Sequence, residues 1–380
     1  MRLLYSCSEL GLGHASRTIA LGKRLEQRGH EIFFFTGGKA YELIKKNFKN
    51  VYPVTPIAWY ENSRGINIPA SLINILVPLP VYDAENNRFQ IKTSNAMETI
   101  HRYYDLRKNL YEIAPDTLIA DGDINALRLA QRWKVPHAYV TNLIRPSYGF
   151  SSLLSPGERM TERYVRACTK IIVPDNKPPY TVCEYNIGNL DSVGVVKSTE
   201  LVGSFFDTTH TIVSEKHIFA PVSGPFGTRA KLLKMLLPAF EELGVKGIIS
   251  LGVPGEQKIV NHGKCEVYSW LSEEKRREAM RNASIVIFSG GHITCFETIK
   301  YAKPSICIPT QPEQLANAAK LQDLGCSIVV KNRSQLLQAI REIETNYEKY
   351  QRRMEVLNGA SNLYNGLNRA VEIIEELRPR

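Results

Sequence analysis

The chain lacks several features that would narrow its class at once. No stretch approaches the roughly 18 to 20 consecutive apolar residues of a membrane-spanning helix. Its seven cysteines, at 7, 168, 183, 265, 295, 307 and 326, form no CxxC pair and have no histidine at zinc-ligand spacing. An odd, scattered set argues against a disulfide framework and for buried thiols in a reducing cytoplasm. Residues 1–6 offer only a short apolar run before Glu9, which is not the pattern of a signal peptide. Short-period repeats and low-complexity runs are absent as well.

What is present is an ordinary globular composition, 43% hydrophobic and 23% charged over 380 residues. That length is too great for one compact core, so two domains of similar size are expected. The net charge of +10 draws anionic partners: nucleic acid, an acidic membrane surface or phosphorylated substrates. Charge of this kind speaks to attraction and not to fold.

Two segments share one plan. Residues 3–6 read as a strand, 8–14 as a glycine-rich turn, 15–28 as an amphipathic helix stopped at Gly29, and 31–35 as a strand. The plan returns about two hundred residues later, with a strand over 217–222, a turn over 223–227, a helix over 228–243 and a strand over 247–251. Strand, glycine turn, helix and strand make a parallel unit. Two such units predict an α/β protein of two doubly wound, Rossmann-like domains facing across a cleft. Residues 174–192 look irregular, the interdomain link is expected over 202–214, and one terminal helix over 360–377.

Gly11-Leu12-Gly13-His14-Ala15-Ser16 resembles a dinucleotide fingerprint but fails it. The third glycine is Ser16, and the second strand ends on Thr36 without the ribose-binding acid. Residues 224–231 likewise lack the Gly-Lys-Ser/Thr of a P-loop. The physics remains: glycine lets backbone approach a ligand, and the following helix offers unpaired N–H groups to an anion. His14 stands at the mouth of the first sheet, where an imidazole can take a proton from an attacking hydroxyl. Asp121, after the strand over 117–120, is the candidate to orient it. The bland reading makes His14 a helix cap, with Glu9 the reserve base. Asp121-Gly122-Asp123 mimics a metal-binding DxD, but Asp123 sits where a helix N-cap belongs, so no metal is expected.

The richest stretch is Ser289-Gly290-Gly291-His292-Ile293-Thr294-Cys295-Phe296-Glu297, followed by Lys303-Pro304, Pro309 and Glu313-Gln314-Leu315-Ala316-Asn317. A buried strand delivers a Gly-Gly turn to a helix N-terminus, which suits a diphosphate. Glu297 could accept both ribose hydroxyls, although Thr294 and Glu297 are also spaced as a capping box. Glu313 and Gln314 open the next helix, where an acid and an amide could read sugar hydroxyls.

This ordered pattern resembles the donor-binding region of the UDP-glycosyltransferase superfamily, of GT-B fold. That group includes plant and antibiotic enzymes and the enzyme adding N-acetylglucosamine to lipid-linked peptidoglycan precursor. The resemblance implies His14 as general base and Asp121 as its orienter, with Gly11 and Gly13 on the acceptor side. It implies Glu297 on the ribose, Glu313 and Gln314 on the sugar, and the backbone of Leu271 on the nucleobase. Ser223 and Gly224 match a second phosphate-contacting turn. Two departures stand out: Ser289 replaces a histidine that many relatives place on the diphosphate, so His292 or backbone would serve. Gly203 is followed by Ser204-Phe205-Phe206-Asp207 in place of Asn-Pro-x-Arg.

The expected layout is an acceptor domain over 1–205, a donor domain over 206–358, and a helix over 359–380 packing back on the first. The expected activity is metal-independent sugar transfer from a nucleoside-diphosphate sugar, with uracil the expected base, to an acceptor hydroxyl. A lipid-linked glycan is a candidate acceptor. Nucleic acid is not an expected partner. The rival readings are a nucleotide-sugar 2-epimerase and a non-catalytic nucleotide-sugar sensor on the same fold. Residues 66–82 are apolar yet carry three prolines and two asparagines. They read first as a core-packing loop and second as a flap for lipid, aided by Lys45, Lys46, Lys49 and Arg64, which would make the protein peripheral on the inner membrane face.

Overall fold

Strands that are buried along nearly their whole length need cover on both faces, and two sets of them organise the chain. The computed structural model describes residues 1–9, 12–62, 65–83, 88–148, 155–206, 217–222, 226–253 and 258–377. The first half runs β1 (Arg2–Cys7), α1 (Leu12–Gln27), β2 (Glu31–Thr36), α2 (Gly38–Lys45) and β3 (Val51–Pro53). An insertion follows, with β4 (Glu61–Asn62), β5 (Gly65–Ile66), α3 (Ile68–Asn74), β6 (Leu79–Asp83) and β7 (Arg88–Lys92). After α4 (Asn95–Ile113) come β8 (Thr117–Asp121), α5 (Ile124–Arg132), β9 (His137–Val140), α6 (Ser155–Arg166) and β10 (Lys170–Val173). Short helices α7 (Glu184–Ile187) and α8 (Leu190–Val193) precede β11 (Thr199–Leu201). Seven strands pair in parallel in the order β11-β10-β9-β8-β1-β2-β3.

The second half opens on β12 (Ile218–Pro221), α9 (Phe226–Leu243) and β13 (Gly247–Ser250). It continues with β14 (Ile259–His262), β15 (Cys265–Tyr268), α10 (Glu273–Asn282), β16 (Ile285–Phe288) and α11 (His292–Lys300). Then come β17 (Ser305–Cys307), α12 (Pro312–Asp323), β18 (Ser327–Val329), α13 (Arg333–Thr345), α14 (Tyr347–Ser361) and α15 (Gly366–Glu375). The sheet order is β14-β15-β13-β12-β16-β17-β18, parallel throughout except for the edge strand β14. In both sheets the winding reverses beside the first strand, between β1 and β8 and between β12 and β16. Ligands of open α/β sheets bind outside the carboxyl ends of the strands at that reversal.

Two expectations change. The terminal helix is two helices: α14 ends at Ser361, and Asn365 caps α15 by accepting from the Asn368 N–H at 3.1 Å. Asparagine favours a cap over a helix interior, which explains the break. Residues 66–82 are not a core loop. They form α3 and the start of a β6–β7 hairpin, with Leu72, Ile73, Leu76 and Val77 exposed. Of the link expected over 202–214, residues 207–214 lie outside the described residues.

The turn over 362–365 carries the chain back to the first half. Met354 and Leu357 of α14 pack in the second core, whereas Ala370, Val371, Ile373 and Ile374 of α15 pack with Leu3, Leu21 and Leu25. Around this core Arg24 donates to Asn368 at 2.7 Å, and Arg369 pairs with Glu200 at 2.6 Å. Ile374 is fully buried, so Ile374→Ala should cost about 2 to 5 kcal/mol in urea unfolding. A loss under about 0.5 kcal/mol would mean that α15 is not part of the first core.

Candidate active site

His14 lies in the first turn of α1, and Asp121 ends β8, paired in register with Cys7 at the end of β1. The adjacent parallel strands therefore bring two residues 107 positions apart to one sheet edge, with His14 Nδ1 2.6 Å from Asp121 Oδ1. Arg17, one helical turn after His14, was not anticipated from the sequence. Its Nε lies 2.8 Å from both oxygens of Asp121, and its Nη2 lies 2.5 Å from Oδ1. Asp121 is fully buried. Burial alone would push its carboxyl up, but the Arg17 charge and the His14 hydrogen bond outweigh it and hold it below the ordinary range.

This settles the imidazole tautomer. Nδ1 also lies 2.8 Å from Arg17 Nη2, and both contacts cannot use the same nitrogen as acceptor and donor. An ionised carboxylate only accepts, so the proton is assigned to Nδ1 and directed at Asp121, and the Arg17 hydrogen goes to Oδ1. Nε2 is then the nitrogen left to accept a proton. Gly122 makes room for the ring: a methyl on it would lie 2.5 Å from His14 Cε1, and its φ of +65° disfavours any other residue.

Asp123 caps α5, accepting from the Asn125 N–H at 3.0 Å, as its position suggested. Its other oxygen takes Ser6 Oγ at 2.5 Å and Arg102 Nε at 3.0 Å. Arg102, buried on α4, also donates to Glu9 at 2.9 Å. Burial raises the Glu9 carboxyl in spite of Arg102, and Glu9 also accepts from the Ile57 N–H. Both oxygens of the reserve base are thus engaged in holding the loop after β1.

On the other side, β16 delivers Ser289 and the Gly290-Gly291 turn to the N-terminus of α11. Ser289 is buried, and Gly290, at φ +87°, packs against the backbone of Gln314 where a side chain would not fit. The N-cap is Gly291, with no side-chain cap. That corrects the capping-box alternative: Thr294 lies inside the first turn and cannot cap with Glu297. The two helix starts converge, since a methyl on Gly13 would lie 3.3 Å from Ile293 Cγ1. Gly11, Ser223 and Gly224 lie outside the described residues.

Glu297 already has a partner. Arg276 of α10 donates to its two oxygens at 3.2 and 2.5 Å, and the carboxylate stays about one-fifth exposed. Glu313 opens α12 half-buried and accepts from Asn142 Nδ2 of the first half at 2.7 Å. Gln314 turns its amide oxygen to Thr310, at 3.1 Å from the N–H and 2.8 Å from the hydroxyl. The Leu271 side chain belongs to the second core.

His292, expected as an anion contact, is buried at the start of α11. Its Nε2 bonds to buried Asp175 Oδ2 at 2.9 Å, across to the first half. The irregular stretch after β10 makes this contact: Asp175 also accepts from the N–H groups of Asn176, Val182 and Cys183 at 2.6, 3.0 and 2.7 Å. Val182 inserts into the second core, and α7 reaches α12 through Asn186, which donates to Asn317 at 2.8 Å. Asp175, Cys183 and His292 lie close enough to hold a metal ion. Their chemistry does not fit one: four hydrogen bonds fill the carboxylate, and burial pushes the Cys183 thiol far up, so that it keeps its proton. The cluster pins the two halves together.

Residues 256–368 match the glycosyltransferase family 28 C-terminal domain. An uncharacterized glycosyltransferase of Methanosarcina acetivorans is 24% identical across 98% of this chain and 97% of its own length. The UDP-N-acetylglucosamine–N-acetylmuramyl-(pentapeptide) pyrophosphoryl-undecaprenol N-acetylglucosamine transferase of Clostridium perfringens is 27% identical over 42% of this chain and 47% of its own. The solved glycotransferase of kitacinnamycin superposes with a TM-score of 0.70 over 100% of this chain and 99% of that one, at 14% identity. The two doubly wound domains are those of the GT-B fold.

The buried pair generates a stability prediction. Arg17→Met leaves the buried Asp121 charge without its guanidinium, and should cost about 3 to 5 kcal/mol in urea unfolding. Because the folded Asp121 value is depressed, its contribution is present above the unfolded value of about 3.9 and is lost as pH falls through the folded one. The loss of stability on acidification below about pH 4 should therefore be smaller in Asp121→Asn. An identical acid limb in wild type and variant would contradict the ion-pair account.

Proposed function

Taking the chain as a glycosyltransferase of the GT-B superfamily, we propose that it moves a sugar from a nucleoside-diphosphate sugar, UDP by preference, to an acceptor hydroxyl. His14 is the general base, and the observation that carries this reading is the bond from its Nδ1 to Asp121, which reserves Nε2 for the acceptor proton. The hydroxyl proton passes to Nε2, the oxygen attacks the anomeric carbon, and the diphosphate leaves from the opposite face with inversion. The unpaired N–H groups at the start of α11 receive the leaving charge.

Glu297 meets the ribose. Its bidentate contact with Arg276 uses about half of the carboxylate's acceptor sites and fixes its direction, so two hydroxyls find the others. Glu313 and Gln314 meet the sugar. No resident metal is part of this scheme, and the support is chemical: each carboxylate of Asp121-Gly122-Asp123 already carries a guanidinium, from Arg17 and Arg102.

The test is turnover with a panel of nucleotide sugars in the presence of chelator. His14→Ala should lower kcat about 10²- to 10⁴-fold with donor affinity nearly unchanged, and Asp121→Asn should cost less. Near-normal turnover of His14→Ala, or a wild-type requirement for manganese, would contradict the scheme.

The acceptor is proposed to be a lipid-linked glycan, met at the inner membrane surface. No helix among the described residues is long and apolar enough to cross a membrane. The support is a surface in the first half on which Leu76, Phe89 and Ile91 are 78%, 80% and 76% exposed. It continues onto α4 through Met97, Ile100 and Tyr104, with Arg107 and Lys108 exposed further along that helix. Exposed apolar side chains with cations on the adjoining helix suit an anionic bilayer. Phe89→Asp with Ile91→Asp should abolish flotation with anionic vesicles at low salt while leaving donor binding intact. Wild-type protein that fails to float at low salt would favour a water-soluble acceptor.

A further inference from the structure

The reaction scheme leaves one polar route between the two halves without a task. Asn142 follows β9, at the same carboxyl edge as Asp121, and is buried. Arg17 Nη1 donates to its Oδ1 at 2.8 Å, and its Nδ2 donates to Glu313 Oε1 at 2.7 Å. The amide orientation is forced by these neighbours, because a guanidinium only donates and a carboxylate only accepts. A continuous chain therefore runs Asp121, Arg17, Asn142, Glu313, from the acid that holds the base to the acid that opens α12.

We propose that Asn142 is a positioning residue for the donor sugar: with its amide fixed by Arg17, it grips Oε1 of Glu313 and turns Oε2 toward the sugar hydroxyls. This rests on the reading of Glu313 as a sugar-binding residue. An amide suits the place for a physical reason. It satisfies a donor-only neighbour on one side and an acceptor-only neighbour on the other without adding charge, and its planar group holds the two contacts at a fixed separation. Aspartate would keep the Arg17 contact but set a second carboxylate against Glu313. Leucine would strip Arg17 Nη1 and Glu313 Oε1 of these contacts. The same chain makes the sugar subsite and the His14–Asp121 pair share one guanidinium, so the sugar is placed in register with the base across the cleft.

The experiment is calorimetric titration of the full-length protein with UDP and with the best-bound sugar nucleotide from a panel of UDP-, dTDP- and GDP-sugars. Asn142→Asp and Asn142→Ala should weaken the sugar nucleotide about 10- to 100-fold and leave UDP within about twofold. In a Glu313→Ala background, the further change Asn142→Ala should have little effect, because the residue acts through Glu313. Equal weakening of UDP and sugar nucleotide, or an undiminished effect in the Glu313→Ala background, would overturn the proposal and mark Asn142 as a packing residue. Glu313→Ala that binds sugar nucleotide normally would remove the sugar-binding reading itself. Wild type that binds no sugar nucleotide would remove the transferase reading, and this proposal with it.

Discussion

A carboxylate sealed from water at the end of β8 is the constraint on which the site depends. Asp121 is fully buried, and a charge there is tolerable only because Arg17 meets it in two places and His14 in a third. The pair fixes more than charge. It holds the proton on the inner nitrogen of His14, and so leaves Nε2 as the accepting nitrogen. It also fixes the Arg17 side chain, whose remaining N–H groups orient Asn142. Gly122 belongs to the same arrangement, since any side chain there would displace the imidazole.

Around that pair the two sheets present their reversals to each other, and the starts of α1 and α11 meet at Gly13 and Ile293. Several separate connections hold this arrangement. The stretch after β10 sends Val182 into the second core and locks Asp175 to His292, while α15 returns to the first core. Asn142 to Glu313 adds a contact inside the cleft. Under the proposed function, a bridge of this kind would hold donor and base in one frame. That is the orientation effect from which transfer enzymes draw much of their rate.

Much of this was legible from local pattern. A strand followed by a glycine turn and an amphipathic helix implies a parallel sheet, and parallel strands share one carboxyl edge, so His14 and Asp121 could be paired from sequence. The Gly290-Gly291 turn followed by α11 was legible for the same reason. Arg17 was not, because a basic residue on an amphipathic helix looks solvated until its partner, 104 residues away, is placed beside it. Likewise Thr294 and Glu297 fit a capping box in spacing, yet the N-cap of α11 is Gly291, three residues before Thr294. His292 carried no signal for Asp175, which lies in a stretch without regular structure. The apolar run over 66–82 was misplaced because hydrophobicity alone does not say whether a surface is buried by this chain or left for a partner.

The central claim is that the second half holds the sugar nucleotide and the first half supplies the base. Hydrogen exchange followed by mass spectrometry, with and without saturating sugar nucleotide, tests it most directly. The account predicts slowed exchange at the starts of α11 and α12, around 290–297 and 313–317, with little change along α4 and the β6–β7 hairpin. Protection confined to the first half, with 290–297 unchanged, would contradict it.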